Sequence, residues 1–437
     1  MPLEVPFQKN TPQPLLFKTL FLLVILTLTG SGFPALAEKV GYRDGEGVWR
    51  IIEDTDWPAI PPDKQYLTET VATRAAKGVT FSVTYLDVVQ GTGKGFNDPS
   101  LGATRRSTVQ AVLNYIGSQL NETGSCQIEF EVSQTDGSGA LAEGGPFFST
   151  ANTFEPPFPL QHITTGTDPS LKNPDLTVTV DFGWAWHNDT STPVPSNQID
   201  LYSVLLHEIT HGLGIISLTK SNGSSEFSPS VVYSTFDNFL YTGNGTKLWN
   251  SSGVFQTSAA SLTGSNGGVV FRGPQAKAQY GSYPPVYTPS PWSSGSSISH
   301  WINTLSGSPV MKHAIGYGVA VRTYAPFELK ALADLGYTLP VVVVTPVANF
   351  KSNLQSGVVP LTVSFTDLST NQPTSWAWDF QDDGVVDSTN QNPTFTYSAP
   401  GVYSVRLTVR NTAGSDSLQK QNLVTVVKPT QPVLLVY

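Results

Sequence analysis

The chain is poor in cysteine, methionine, histidine and charge. Cys126 is the only cysteine, which excludes an internal disulfide. Stability must come from core size or from bound metal. Cys126 lies in the alternating run CQIEFEV, so it reads as a structural residue, and nothing nearby suggests an activated thiolate. Charged residues make up 13%, with a formal net charge of −9 and no Lys/Arg run. That excludes nucleic acid as a partner, because phosphate neutralisation needs clustered cations. Heptads are absent, which removes a coiled coil. Gly (38), Pro (33) and aromatics (11%) are plentiful instead, a mix that reads as β-rich and loop-rich. With 437 residues and 39% hydrophobic side chains, the chain can build two or three domains with real cores.

The N-terminus has the pattern of an export signal. Lys9 and Lys18 lead into the apolar run TLFLLVILTLTG, and Ala35 to Ala37 give a small-x-small cleavage site. The run is short for a span of about 20 residues, and no other segment crosses a bilayer, so a secreted protein without a membrane span is expected. Residues 1–37 are the expected signal peptide, 38–340 one large unit, 341–428 a second, and 429–437 a Pro-rich tail. Residues 38 to about 80 are a candidate propeptide. The sequons at Asn121, Asn188, Asn222, Asn244 and Asn250 matter only in a glycosylating host.

Within the large unit, FSVTYLDVV, CQIEFEV and DLTVTVDFGW alternate as strands. Val109, Val112, Leu113, Ile116 and Leu120 recur at helical spacing. A further helix runs from Asp200, its expected N-cap, to Leu213, with Gly212 and Gly214 as its stop. About 85 residues of low periodicity follow, too long for a plain loop and expected to be an irregular functional insert. APFELKALADLGYTL closes the unit as a short helix that Pro326 starts and Gly336 ends.

That second helix carries HEITHGLGIIS, residues 207–217. His207 and His211 are four apart, hence on one face, one turn apart. Two imidazoles at that spacing can grip one ion, and Glu208 can approach a bound water without ligating: the logic of H-E-x-x-H. A catalytic zinc takes three protein ligands and an open position. The extended motif places a third histidine six residues beyond the second, where this chain has Ser217. The candidates for the third place are His162, His187, Asp237, His300 and His313. Glu226 lies in NGSSEFSPS, which is not helical, so a glutamate on a following helix has no support.

SISHW, then SPVMK, then APFELKALADLGY resembles the C-terminal part of leishmanolysin-type metzincins and related exported peptidases. The resemblance covers roughly residues 80–340. It implies that His300 is the third ligand, displaced downstream by the insert, and that Met311 is the Met-turn residue beneath the metal. It also implies one catalytic Zn²⁺, with Glu208 as general base for peptide hydrolysis. His313, two residues past the methionine, departs from the pattern and is a rival ligand, a supporting partner or a transition-state donor. Tyr317 and Tyr324 are further donor candidates. Leu176 to Phe182 is the expected edge strand, to which a substrate would add by β-augmentation.

SWAWDFQDDGVVDSTNQNPTFTYSAPGVYSVRLTVRNTAGSDS follows the W-D-F-G-D-G, N-P-x-x-x-Y, P-G-x-Y-x-V and N-x-x-G-S-D motifs of the polycystic kidney disease (PKD) family. That resemblance implies an immunoglobulin-like all-β sandwich over 341–428, acting as a spacer or as contact to a cell surface or extracellular polymer. Trp378 and Tyr403 are the expected core aromatics. Asp379, Asp382, Asp383 and Asp387 offer oxygen ligands for Ca²⁺, although their spacing is not that of an EF-hand and reads more simply as an acidic turn. The fold expected overall is α+β: a zincin or metzincin-like domain of mixed sheet plus active-site helix, followed by the sandwich. Its function is that of a secreted zinc endopeptidase acting on protein or peptide substrates. The alternative is a surface adhesin with a catalytically silent zincin fold, against which the intact Glu208 argues.

Overall fold

Strand alternation sets the centre of the first unit. Phe81, Val83 and Tyr85, then Cys126, Ile128, Phe130 and Val132, then Leu176, Val178 and Val180 are all buried. The computed structural model describes residues 39–43, 49–53, 65–72, 78–87, 94–134, 137, 140–170, 173–227, 229–305, 308–341 and 343–429. The expected signal segment 1–37, and all of the tail except residue 429, lie outside them.

β1 (Lys39–Arg43) pairs antiparallel with β2 (Trp49–Glu53). β3 (Gln65–Ala72) and β4 (Thr80–Asp87) precede α1 (Gly102–Gln119), β5 (Ser125–Gln134) and β6 (Ala142–Pro146). β7 (Phe148–Ser149) pairs with β1, and β8 (Phe154–Glu155) leads into α2 (Phe158–Thr165) and β9 (Leu176–Asp181). The main sheet has the order β3-β4-β5-β9-β6. β4, β5 and β9 run parallel, while β3 and β6 flank them antiparallel. β9 was the expected edge strand. It is interior: β6, a segment reading AEGGP, pairs along its outer side and takes the edge.

β10 (Trp186–His187) and β11 (Ile199–Asp200) form a short parallel pair that delivers the chain to α3 (Leu201–Gly212). Asp200 caps α3 as expected, its carboxylate accepting from Ser203 N–H at 3.2 Å. Val204, Leu205, Leu206 and Ile209 are all buried, so α3 is apolar nearly all round, the mark of a core helix.

The expected irregular insert has small elements of its own. β12 (Tyr233–Ser234) pairs with β8, and β13 (Leu240–Thr242), β14 (Val269–Phe271) and β15 (Pro285–Val286) make a three-stranded sheet, with α4 (Pro274–Tyr280) between β14 and β15 in the chain. Strands of two or three residues are too short to print a period in the sequence. Val286 bridges to Trp301, and Trp301 to Lys312, which links the insert to the segment carrying His300 and Met311. α5 (Pro326–Leu335) closes the unit between Pro326 and Gly336.

The C-terminal unit is a β-sandwich of two sheets. β16 (Phe350–Ser352), β18 (Leu361–Asp367) and β20 (Thr394–Tyr397) make one. β17 (Ser356–Val358), β22 (Gly414–Val427), β21 (Gly401–Asn411) and β19 (Ser375–Asp379) make the other. Trp378 is fully buried against Phe350, Phe365 and Phe380. Tyr403, expected in the core, is half-buried at its margin, its hydroxyl donating to Ala399 O at 2.9 Å. Among the described residues no helix is long and apolar enough to cross a membrane.

Candidate metal centre

His207 and His211 project from one face of α3, and His300 arrives from the far end of the insert. The Nε2 atoms of His207 and His300 are 3.1 Å apart, as are those of His211 and His300. The other ring nitrogens settle the tautomers. His207 Nδ1 meets Val310 O at 2.8 Å, His211 Nδ1 meets Ile215 O at 2.7 Å, and His300 Nδ1 meets Ser296 O at 2.8 Å. A carbonyl can only accept, so each Nδ1 is the donor and carries the ring proton. A neutral ring with its proton at Nδ1 can offer the Nε2 lone pair to a metal ion. With the rings neutral, the 3.1 Å contacts bring Nε2 acceptors towards one another, an arrangement that a cation between them would stabilise.

The donor set fits zinc. Two nitrogens about 2.0–2.1 Å from one tetrahedral ion lie about 3.3 Å apart, close to the spacing seen. Burial lowers the pKa of His207 to about 4, which keeps the ring neutral and available as a ligand. A ring of imidazoles held by backbone carbonyls is also the usual supporting arrangement around such ions.

Glu208 is 8% exposed and lines the cavity over the histidines, a space of about 560 Å³. Leu141, Glu143, Val204, His313 and Val321 line it too. β6 crosses α3 directly at Glu208. A Cβ on Gly144 would sit 2.5 Å from Glu208 O and 2.7 Å from Glu208 Cβ, so only glycine permits the approach. The helix is braced at both ends. Arg322 grips Asp200 with two hydrogen bonds of 2.7 and 2.9 Å, and Val321 N–H donates to Ser203 Oγ at 2.7 Å. Beyond the C-terminus, Gly214 takes a left-handed φ of +112°, and the chain turns back so that Ile215 O reaches His211.

The remaining candidates are placed elsewhere. Asp237 is fully buried, and its carboxylate accepts from Leu218 N–H at 2.9 Å, Ser234 N–H at 3.0 Å and the hydroxyls of Ser217 and Ser234, so it holds the insert rather than an ion. Burial pushes its pKa up to about 6. His313 lines the cavity, stacked on Tyr287 with ring centroids 3.9 Å apart. Burial lowers its pKa. His187 sits beside Thr192, 3.3 Å from that residue's carbonyl. Tyr324 is buried behind α3 with its hydroxyl 2.7 Å from Thr210 Oγ1, and Tyr317 is exposed. Glu226 lines a small polar recess next to His211. His162 joins Asp168 and Asp175 in a second cluster, where its Nδ1 is 2.8 Å from Asp175 and its Nε2 is 2.6 Å from Ser125 Oγ. Burial alone would lower the pKa of His162, but the bond to Asp175 and its charge raise it. This pair ties α2 to the start of β5 and β9.

Met311 is fully buried, and its N–H donates to Glu328 at 2.9 Å. Glu328 itself was not singled out in the sequence. The only signal was its place three residues after Ala325 at the start of a helix, the spacing of a capping carboxylate. In the sandwich, Asp379 and Asp387 accept backbone N–H groups, and Asp382 pairs with Arg406 at 2.8 Å. Among the described residues those acids form no metal-capable group.

The family model of the PKD domain matches residues 343–426. The PKD1 domain of the Vibrio cholerae metalloprotease PrtV is 34% identical over 19% of this chain and 99% of that one, with a TM-score of 0.16. The PKD1 domain of Vibrio anguillarum Epp is 31% identical over 19% of this chain and 98% of that one, with a TM-score of 0.17. No curated protein matches the chain.

Proposed function

From a chain whose residues 343–426 belong to the PKD domain family and whose three imidazoles converge beside a buried glutamate, we propose an exported zinc endopeptidase of leishmanolysin-like metzincin type. The observation that carries the reading is the convergence of three imidazoles, each with its Nδ1 on a backbone carbonyl and its Nε2 towards the others. His207, His211 and His300 would hold the ion, with Met311 in the turn beneath. A zinc ion on three neutral ligands supplies Lewis acidity and lowers the pKa of its water towards about 7. Glu208 takes the proton of the attacking water and returns it to the leaving amine. The outer edge of β6 takes the substrate backbone as an added strand, and Leu141 and Glu143 border that path. His313, which lines the same cavity, would donate to the carbonyl oxygen as it becomes anionic. The PKD unit would serve as the contact or spacer module; a similar PKD domain occurs in a Vibrio cholerae metalloprotease.

Bound zinc and casein cleavage, measured on the wild type, Glu208→Ala and His300→Ala, test the proposal. The wild type is expected to carry about one zinc and to cleave. Glu208→Ala should keep zinc and lose about 10²–10⁴-fold in rate. His300→Ala should lose zinc. Cleavage surviving in Glu208→Ala overturns Glu208 as the general base; a zinc-loaded wild type that does not cleave overturns the enzyme and leaves a binding protein; full zinc in His300→Ala overturns the ligand set.

A further inference from the structure

Glu328 is fully buried in the first turn of α5, and its carboxylate gathers four N–H groups. Oε1 accepts from Met311 N–H at 2.9 Å and Trp301 Nε1–H at 3.1 Å; Oε2 accepts from Ala325 N–H at 2.8 Å and Val310 N–H at 3.0 Å. Capping α5 uses only the Ala325 bond. The other three reach the two segments that complete the histidine site.

The Val310–Met311 peptide group is engaged at both ends. Its N–H donates to Glu328, and its carbonyl accepts from His207 Nδ1–H at 2.8 Å. Burial pushes the pKa of Glu328 up to about 7, against the pull of these four N–H groups; in its carboxylate form, on the N–H side of an amide, it pushes electron density to the carbonyl and makes it a better acceptor. A better acceptor at Nδ1 makes Nε2 a stronger donor to a metal, as a carboxylate does when it bonds a ligating histidine directly. On the other arm, Trp301 follows His300 in the chain. Its indole is pinned to the same oxygen, and its backbone N–H donates to Met311 O at 2.8 Å.

We propose that Glu328 is a positioning residue of the metal site: it strengthens His207 through the Val310–Met311 peptide group and sets His300 through Trp301. The inference rests on the zinc-binding reading above. A carboxylate is required because four donors need its several lone pairs. Glutamine has one oxygen, and its amide would point two further donors at N–H groups already there.

The test uses the full chain and zinc alone as the probe. The zinc dissociation constant is measured by competition with a chelator of known affinity, beside the thermal midpoint of the zinc-free protein. Glu328→Gln is expected to weaken zinc binding about 10–100-fold. Trp301→Phe, which removes one donor and keeps the carboxylate, should weaken it several-fold and supplies the measurement if Glu328→Gln does not fold. A residue that only caps α5 would lower the zinc-free midpoint and leave the zinc affinity within twofold, and that result overturns the proposal. Wild type that binds no zinc would instead overturn the metallopeptidase reading on which it stands.

Discussion

The backbone N–H of Ser217 donates to the hydroxyl of Ser299 at 3.1 Å, joining the place where the chain leaves the histidine helix to the residue before His300. Ser217 occupies the position at which an uninterrupted three-histidine motif would carry its last ligand. The long insert therefore begins and ends at one point, and the bond between these two serines closes it. Asp237 anchors the departure side by accepting from Ser217, Leu218 and Ser234.

Asp237→Ala would leave those buried donors without an acceptor. The expected cost is about 3–5 kcal/mol, the scale of breaking a buried charged network. Urea unfolding of the zinc-free protein measures it. Zinc affinity should fall as well, because the loop that fixes Ser299 loses its anchor. A loss below about 1 kcal/mol would show that Asp237 is not the anchor described.

Gly144→Ala should push β6 off α3, since the added methyl meets the backbone of Glu208. Bound zinc should stay at wild-type level while casein cleavage drops about tenfold or more, the scale of a small misplacement at a reacting centre. Wild-type cleavage by this variant would mean that β6 does not carry substrate.

Much of this site was open to a sequence reader. Asp200 at the N-cap, the apolar run before His207 and the four-residue spacing to His211 specify the helix and its paired-histidine face unaided. β6 was hidden for a physical reason. AEGGP has no apolar alternation, because its inner contacts are glycine backbone packed on α3. With β6 unread, β9 passed for the edge, the place that the resemblance to exported metzincins implied for it. Glu328 was equally silent, since a buried carboxylate that gathers distant N–H groups leaves only a local capping pattern. The sandwich was legible because its turn motifs and core aromatics lie in sequence order.

The zinc-free protein should lose stability as pH falls from about 6.5 towards 4. Burial holds His207 near 4, against an ordinary 6.5, so across that window the unfolded chain binds the additional proton. Below the folded value the loss is complete. His207→Asn should flatten this component. Urea midpoints at pH 7 and pH 4.5 for both proteins give the comparison: an equal drop in the two would show that His207 does not titrate this way.

Zinc at 100 times its dissociation constant should stabilise the first unit by about 2.7 kcal/mol. Scanning calorimetry with zinc and with chelator is expected to move one transition and leave that of the sandwich in place. Trp378→Ala should do the reverse, lowering only the second transition by about 3–5 kcal/mol. A zinc-dependent shift in both transitions would contradict the independence of the two cores.

Val310, Ile215 and Ser296 orient the three imidazoles through main-chain oxygens. No side-chain replacement at those three positions can delete the acceptor. Neutral drift can therefore rewrite the residues that hold the three histidines without turning a single ring. The vulnerability moves instead to the places that set the path of the backbone: Gly214, which bends the chain back under His211, and Glu328, which holds Val310 and Met311. Disabling variants should concentrate at such remote positions as much as at the histidines, a distribution that deep mutational scanning would reveal as intolerance without contact.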